Sequence, residues 1–265
     1  MAKLTQLGAA QRKALSGDIE EAEQAFAALV DTGMARAAAA LAEIAAYRNR
    51  WDDVLGHVEK SVAVLDQFET FDVQIDQISL CALAARQTES WDRAKTTAEI
   101  GRRCLGKNGD PDLLKVLASL AAFAASNGSD DFRLPQGAKL GDAVRFAEAV
   151  AKIEGSKKKF SNPQARADHM IGLARVYEYH EGAVEVFDKD NTLPGIFDNI
   201  VFLAAALAKA GRPDDAWTVV RSGIGDWWPV EETQIAPVVL LTDVSLAPIM
   251  TAVRCAEILN TPRGF

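Results

Sequence analysis

The chain has 265 residues, of which 49% are hydrophobic and 25% charged, and its formal net charge is −8. This is the balance of a soluble globular protein with a sizeable core, and the negative charge argues against a nucleic-acid partner because phosphate binding needs clustered lysine and arginine. The sequence shows no signal-peptide core, no apolar run near the roughly 18 residues of a membrane span, and no disulfide or metal spacing among its three cysteines. We therefore expect a cytoplasmic protein that binds neither membrane nor nucleic acid.

Helical periodicity runs through almost the whole chain. Alanine fills many apolar positions, as in "MARAAAALAEIAAY" at 34–47, and alanine both favours helix and lets neighbouring helices approach closely. Strand signals are nearly absent before residue 236. The predicted helices are 3–16, 18–31, 33–48, 51–67, 71–87, 91–106, 111–126, 139–154, 163–178, 181–188, 194–210 and 213–223.

Several residues predict where these helices begin. Asp18 and Ser90 are good N-cap residues, whose side-chain oxygens can accept from the first free backbone N–H groups. Pro111, Pro163 and Pro213 fit the first helical position, where the missing N–H is not needed.

A Trp-Asp phrase occurs twice, as "NRWDDVLGHVE" at 49–59 and "ESWDRAKTTAE" at 89–99. Each phrase precedes a small residue that serves as a marker, and related turns precede further markers. The markers are Ala22, Val54, Ala94, Ala183 and Ala216, at successive spacings of 32, 40, 89 and 33. Periods of about 33 to 40 residues are typical of helix–turn–helix repeats. Trp51 and Trp91 then begin the second helix of a pair, where we expect them to wedge it against its predecessor.

In these features the chain resembles the tetratricopeptide repeat family over 1–106 and 162–226. The turn position is held by Gly17, Asn49 and Gly211, the aromatic position by Trp51 and Trp91, and the later apolar position by Phe26, Val58, Phe187 and Val220. The chain departs from the family where Glu89 replaces the turn glycine and Val54 the alanine.

The resemblance implies an all-α fold, a right-handed superhelical α–α solenoid of helical hairpins. We expect the array to cover 1–226, to be irregular or interrupted around 107–160, and to be closed by a capping segment at 227–265. "PVVLLTD" within this cap fits a short helix or an extended segment. Trp227 and Trp228 are expected to pack under the cap, and an exposed partner-binding patch is the alternative. The stretch at 127–137 and the basic run at 157–159 are expected to be loops.

The resemblance also implies a concave groove lined by the first helix of each pair. Counting 18, 15, 11, 8 and 7 residues back from the markers gives the candidate groove positions. The partner-binding candidates are Arg36, Glu43, Tyr47, Asp76, Ser79, Arg86, Gln87, Asp168, Arg175, Asp198 and Lys209. Tyr47 is expected to be the exposed aromatic residue among them, and Arg and Tyr are frequent binding hot spots.

Motifs for catalysis are missing from the sequence. His57, His169 and His180 lack metal-ligand spacing, "DKDNTLPG" lacks the glycine and glutamate of a calcium loop, and neither a P-loop nor a nucleophile elbow occurs. We expect no metal, no cofactor and no enzyme activity, but a module that binds another protein or peptide. The alternatives are an immunity- or antitoxin-type inhibitor of a basic protein, a ligand-sensing regulator with a pocket near 227–228, and an all-helical enzyme.

Overall fold

The computed structural model describes residues 2–132, 142–156 and 160–264. Within these ranges every regular element is a helix, as the sequence predicted. The basic run 157–159 and residues 133–137 of the predicted loop lie outside the described residues, and so does the predicted start of a helix at 139.

Fourteen α-helices occupy the described ranges, joined by four short 3-10 turns. They are α1 (Ala2–Ser16), α2 (Ile19–Asp31), α3 (Ala38–Tyr47), α4 (Trp51–Val62), α5 (Phe71–Thr88), α6 (Trp91–Leu105), α7 (Pro111–Ala125), α8 (Ala143–Glu154), α9 (Pro163–Val176), α10 (His180–Asp190), α11 (Phe197–Lys209), α12 (Pro213–Gly223), α13 (Val239–Thr242) and α14 (Ala252–Asn260). The 3-10 turns are Ala35–Ala37, Leu65–Gln67, Ile224–Asp226 and Ala247–Ile249.

The helices fall into two compact units. Within the described residues, unit 1 comprises 2–132 together with Trp228–Thr242 and Thr251–Pro262, and therefore contains α1 to α7, α13 and α14. Unit 2 contains α8 to α12 and the 3-10 turn at Ala247–Ile249. In each unit, helices that are adjacent in sequence pack against each other.

The same turn closes five helical hairpins. One or two residues after the end of each first helix, a residue has a positive φ, and the next N–H donates to the carbonyl five residues earlier at 2.8–3.1 Å, which is the Schellman arrangement. The positive-φ residues are Gly17, Asn49, Glu89, Glu178 and Gly211. The turn position predicted from the sequence is therefore confirmed, and at 89 a glutamate adopts the conformation that glycine takes elsewhere.

The marker residues of the repeat are all buried. Ala22, Val54, Ala94, Ala183 and Ala216 each have 0% of their surface exposed. A small side chain at this point lets the second helix of a hairpin lie close to the first, so the marker spacing reports a packing requirement.

Helix α3 is buried on all sides, from Ala38 to Tyr47. It contacts α2, α4, α5 and α14, and it can be enclosed in this way because all its residues except Glu43 and Tyr47 are purely apolar. The alanine-rich sequence thus places α3 at the centre of unit 1. A close approach also occurs at Gly17, where a Cβ atom would lie 3.0 Å from the carbonyl oxygen of Asn260 in α14.

Two predicted N-caps are wrong. Asp18 and Ser90 precede α2 and α6, but neither side chain accepts a hydrogen bond from its helix. Both residues follow a Schellman turn directly and have ψ near 60° (59° and 57°), short of the extended backbone that lets an N-cap oxygen reach the first amides. Asp110 and Asn162, with ψ of 124° and 170°, do cap α7 and α9.

The prolines at 111, 163 and 213 stand at helix starts, as predicted. Trp91 begins α6, as predicted, and its contact with the preceding helix stays a prediction. Its ring meets Phe123 of α7 edge-on at 5.5 Å, and a Cβ on Gly128 would lie 2.5 Å from it. The tryptophan therefore packs against the helix that follows α6, because the end of α7 turns back beside its ring.

Candidate functional site

Residues 228–242, which we call the returning segment, lie against the first helix of each hairpin in unit 1. From Trp227 to Val238 the chain forms no helix, and it turns at Glu231–Gln234, where the Gln234 N–H donates to the Glu231 carbonyl at 3.1 Å. The groups that contact the returning segment come from α1, α3 and α5 and from the residues just before α3 and α5. They are Gln11, Arg36, Glu43, Tyr47, Thr70 and Asp76, and we call this set the odd-helix face.

A buried carboxylate marks the beginning of the contact. The Glu231 side chain is only 2% exposed, and its Oε1 accepts from the Thr70 backbone N–H at 2.6 Å and from the Thr70 hydroxyl at 3.0 Å. Its Oε2 pairs with the guanidinium of Arg36, which lies over the Phe68 ring at 5.3 Å. A carboxylate is stable in such a place because it is both paired and hydrogen-bonded.

A second buried carboxylate holds the main chain of the returning segment. Glu43 is 1% exposed, and its Oε2 accepts from the N–H groups of Ile235 at 2.6 Å and Ala236 at 3.1 Å. These two N–H groups have left the turn and have no helical partner, so the carboxylate satisfies both of them. The contact depends on backbone geometry and not on the side chains of the two residues.

Gln11 and Tyr47 complete the main-chain contacts. The Gln11 amide donates to the carbonyl oxygens of Glu231 at 2.7 Å and Gln234 at 3.0 Å, the two ends of the turn. The Tyr47 hydroxyl donates to the Pro237 carbonyl at 2.8 Å. The odd-helix face therefore contacts both donors and acceptors of the returning segment.

Asp76 lies in α5 on this face and has a shifted pKa. It bonds to the Gln234 side chain, and burial together with the nearby Asp72 raises its pKa from 3.8 to about 7. A raised carboxyl pKa means that the folded state favours the protonated form. Its stabilising contribution is complete below pH 3.8 and is lost as the pH rises through about 7.

Most side chains of the returning segment are buried from Glu231 onward, and residues 233–238 are buried without a break. Thr233, Ile235, Ala236 and Val238 are at most 1% exposed. Glu232 faces solvent, with a side chain that is 48% exposed. The odd-helix face thus encloses the Glu231 carboxylate and a short apolar stretch, and it leaves the Glu232 side chain largely exposed.

The structure brings four predicted groove residues together, Arg36, Glu43, Tyr47 and Asp76. Tyr47 was expected to be exposed, which is wrong: it is 1% exposed, because neighbouring helices enclose α3 and its hydroxyl donates to the Pro237 carbonyl. Partner binding by these residues stays a prediction.

The other three candidates of unit 1 do not contact the returning segment through any hydrogen bond described here. Ser79 is buried in α5 at 4% exposure. Arg86 and Gln87 are exposed near the end of α5, where the Arg86 guanidinium lies over the Phe123 ring at 5.1 Å.

The four candidates in unit 2 lie on α9 and α11, and each contacts a group within unit 2. Asp168 accepts from the backbone N–H groups of Gly195 and Ile196 at 2.9–3.0 Å, and so fixes the entry to α11. Arg175 pairs with Asp198 at 2.7 Å on an exposed surface.

Lys209 lies beside His180 at the exposed end of α11. Its Nζ is 2.9 Å from His180 Nε2. Partial burial and the lysine charge lower the pKa of His180, so the ring accepts the hydrogen bond in its neutral form. The ring also lies 4.7 Å from that of Phe202.

A cleft of about 760 Å³ opens in unit 2 between the ends of α8, α9 and α10. Its main charged groups pair with each other: Arg166 with Asp190 and, at 3.6 Å, with Glu154. Lys189 adds a contact to Glu154 at 3.1 Å. This pairing gives the cleft a structural role in joining the three helices.

Sequence reasoning missed Gln11, Thr70 and the returning segment itself. Gln11 stands 11 residues before Ala22, the same offset that separates Glu43 from Val54, so the count would have found it in the first repeat. Thr70 acts through its backbone as well as its hydroxyl, and no side-chain pattern reveals a backbone contact.

The two adjacent tryptophans have different environments. Trp227 is 8% exposed, which agrees with the expected packing, but Trp228 is 61% exposed. The expectation that both are buried is therefore wrong, because the chain enters the returning segment at this point and successive side chains face opposite ways.

The chain matches no protein-family model, no curated protein and no solved structure. Among the described residues, no helix has both the length and the apolar character needed to cross a membrane. The same residues contain no group of three or more His, Cys, Asp or Glu side chains placed to hold a metal ion.

Proposed function

We propose that the protein is a non-catalytic module that binds another protein through the odd-helix face of unit 1. In this proposal the hairpins form a right-handed solenoid of the tetratricopeptide type, and their first helices line its concave side. A peptide segment of the partner takes the place of the returning segment.

The observation that carries the proposal is the way the returning segment is held. Glu43 contacts two N–H groups, while Gln11 and Tyr47 contact three carbonyl oxygens. Contacts to the main chain can be made by any chain with the same backbone path, in the way that peptide-binding domains obtain affinity from main-chain hydrogen bonds. Equivalent repeat positions, 11 residues before Ala22 and Val54, supply two of these groups.

The test compares capture of partners from a lysate of the producing cells by forms of the full chain that differ at the face. Ile235→Asp places a charge at a fully buried position next to Glu43 and releases the returning segment. Adding Arg36→Glu damages the face, and adding Arg102→Glu instead is a matched charge reversal at an exposed position of α6. Circular dichroism shows that each form keeps its helices.

The expected partner is captured more strongly by the Ile235→Asp form than by the wild type. Its capture is lost on adding Arg36→Glu and kept on adding Arg102→Glu, and the purified partner binds the purified chain directly. A partner captured equally by all forms binds elsewhere, and that result overturns the proposal.

A further inference from the structure

The returning segment contacts the odd-helix face in a fixed order of residue types. It presents Glu231 to a closed carboxylate site, then a tight turn, then an apolar residue, a small residue and Pro237. We infer that it is an internal copy of the partner's binding motif. The partner then presents a turn-forming acidic segment of the form Glu-x-x-x-apolar-small, followed by a residue whose carbonyl accepts from Tyr47, and the returning segment competes with it. This inference rests on the proposed function.

The carboxylate site gives the motif its first position. Arg36 and Thr70 direct a guanidinium, a hydroxyl and a backbone N–H at one side chain. The guanidinium is held over the Phe68 ring and its side chain is 14% exposed, so the site exists as a fixed, largely desolvated arrangement. Charge-assisted hydrogen bonds in such surroundings select a carboxylate and reject a lysine or arginine.

The remaining positions follow from spacing and burial. The Gln11 side chain donates to the carbonyls at both ends of the turn. This fixes the spacing between the glutamate and the last residue of the turn, which comes three positions later. Ile235 and Ala236 follow, both at most 1% exposed, where a larger or charged side chain has no room. The Tyr47 hydroxyl can then donate to the backbone carbonyl of whatever residue stands at the position of Pro237.

Glu232 provides an internal comparison. It has the same charge as Glu231 and is its neighbour, but its side chain is 48% exposed and lies 3.5 Å from Arg36 without a second partner among its described contacts. A partner that binds through charge alone is sensitive to both positions equally. A partner that binds through the carboxylate site is sensitive to the first position only.

The experiment uses the Ile235→Asp full chain and a synthetic peptide, WPVEETQIAPVVL, that reproduces residues 228–240. Binding is followed by fluorescence anisotropy of a terminal label. The expected result is saturable binding that weakens about tenfold or more with Glu231→Gln in the peptide, because hydrogen bonds to a charged group are lost. Glu232→Gln in the peptide changes the affinity less than about threefold.

A charge exchange tests the same site from both sides. Adding Arg36→Glu to the chain abolishes binding of the natural peptide and favours the peptide with Glu231→Arg. If the Ile235→Asp chain does not fold, the stabilities of Arg36→Glu, Glu231→Arg and the double variant are compared in the otherwise natural chain. The double variant should regain the stability that each single variant loses.

The outcomes separate the two proposals. Equal weakening by the two peptide substitutions, or none by Glu231→Gln, overturns the inferred motif and leaves peptide binding by this face in place. A folded chain that binds none of the peptides overturns both. Failure of the charge exchange to restore binding or stability also overturns the inferred motif.

Discussion

Replacing Glu43 by alanine is the most direct test of how the returning segment is held. The substitution leaves the N–H groups of Ile235 and Ala236 buried without their carboxylate acceptor. Each buried donor that loses its partner destabilises the contact by about 1–3 kcal/mol, and bonds to a charged group lie at the upper end. We expect the closed contact to weaken by about 3–5 kcal/mol, while helices in unit 2 keep their stability.

Amide hydrogen exchange measures this directly, because it reports local opening residue by residue. The amides of Ile235 and Ala236 should exchange about 150 to 5,000 times faster in the Glu43→Ala chain. Glu43→Gln is the matched control: a single oxygen accepts both bonds, so the amide oxygen of glutamine can keep them, and the loss should be only about 1 kcal/mol. Unchanged exchange at both amides in the alanine variant would refute the main-chain argument.

Three further predictions concern charge, caps and packing. Asp76→Asn should stabilise the protein above pH 7 by up to about 4 kcal/mol and have little effect below pH 4, because the raised pKa makes the ionised carboxyl unfavourable in the folded state; urea unfolding across pH measures it. Asp110→Ala should lower stability by about 1 kcal/mol while Ser90→Ala is nearly neutral, since only the first side chain caps a helix; thermal unfolding compares the two. Gly101→Ala should cost about 1–3 kcal/mol, because the new Cβ would lie 2.8 Å from a methyl group of Leu117 and another of α4, and no loss in urea unfolding would contradict this packing.

The helices and their hairpin turns could be predicted from the sequence because their signals are local. Alanine-rich periodicity, prolines at helix starts and a glycine or asparagine at the turn each act over a few residues. The predicted helix boundaries therefore mostly lie within one to four residues of those observed. The failure of the Ser90 side chain to cap α6 could not be predicted, because the preceding Schellman turn sets its backbone angle, and residue type alone does not report that angle.

The candidate site could be predicted in part. The repeat offset placed Arg36, Glu43, Tyr47 and Asp76 on one side of the first helices, since a helical repeat fixes which residues share a face. It could not reveal that residues nearly 200 positions later in the chain cover that face. The contacts at Ile235 and beyond are main-chain hydrogen bonds, and every sequence offers these groups equally.

The covered state sets a condition on any partner. A segment that is part of the same chain acts at an effective concentration in the millimolar range, so a free peptide of equal intrinsic affinity displaces it poorly. If the closed contact is favoured by about 3 kcal/mol, the apparent affinity of a competing segment falls by about 150-fold.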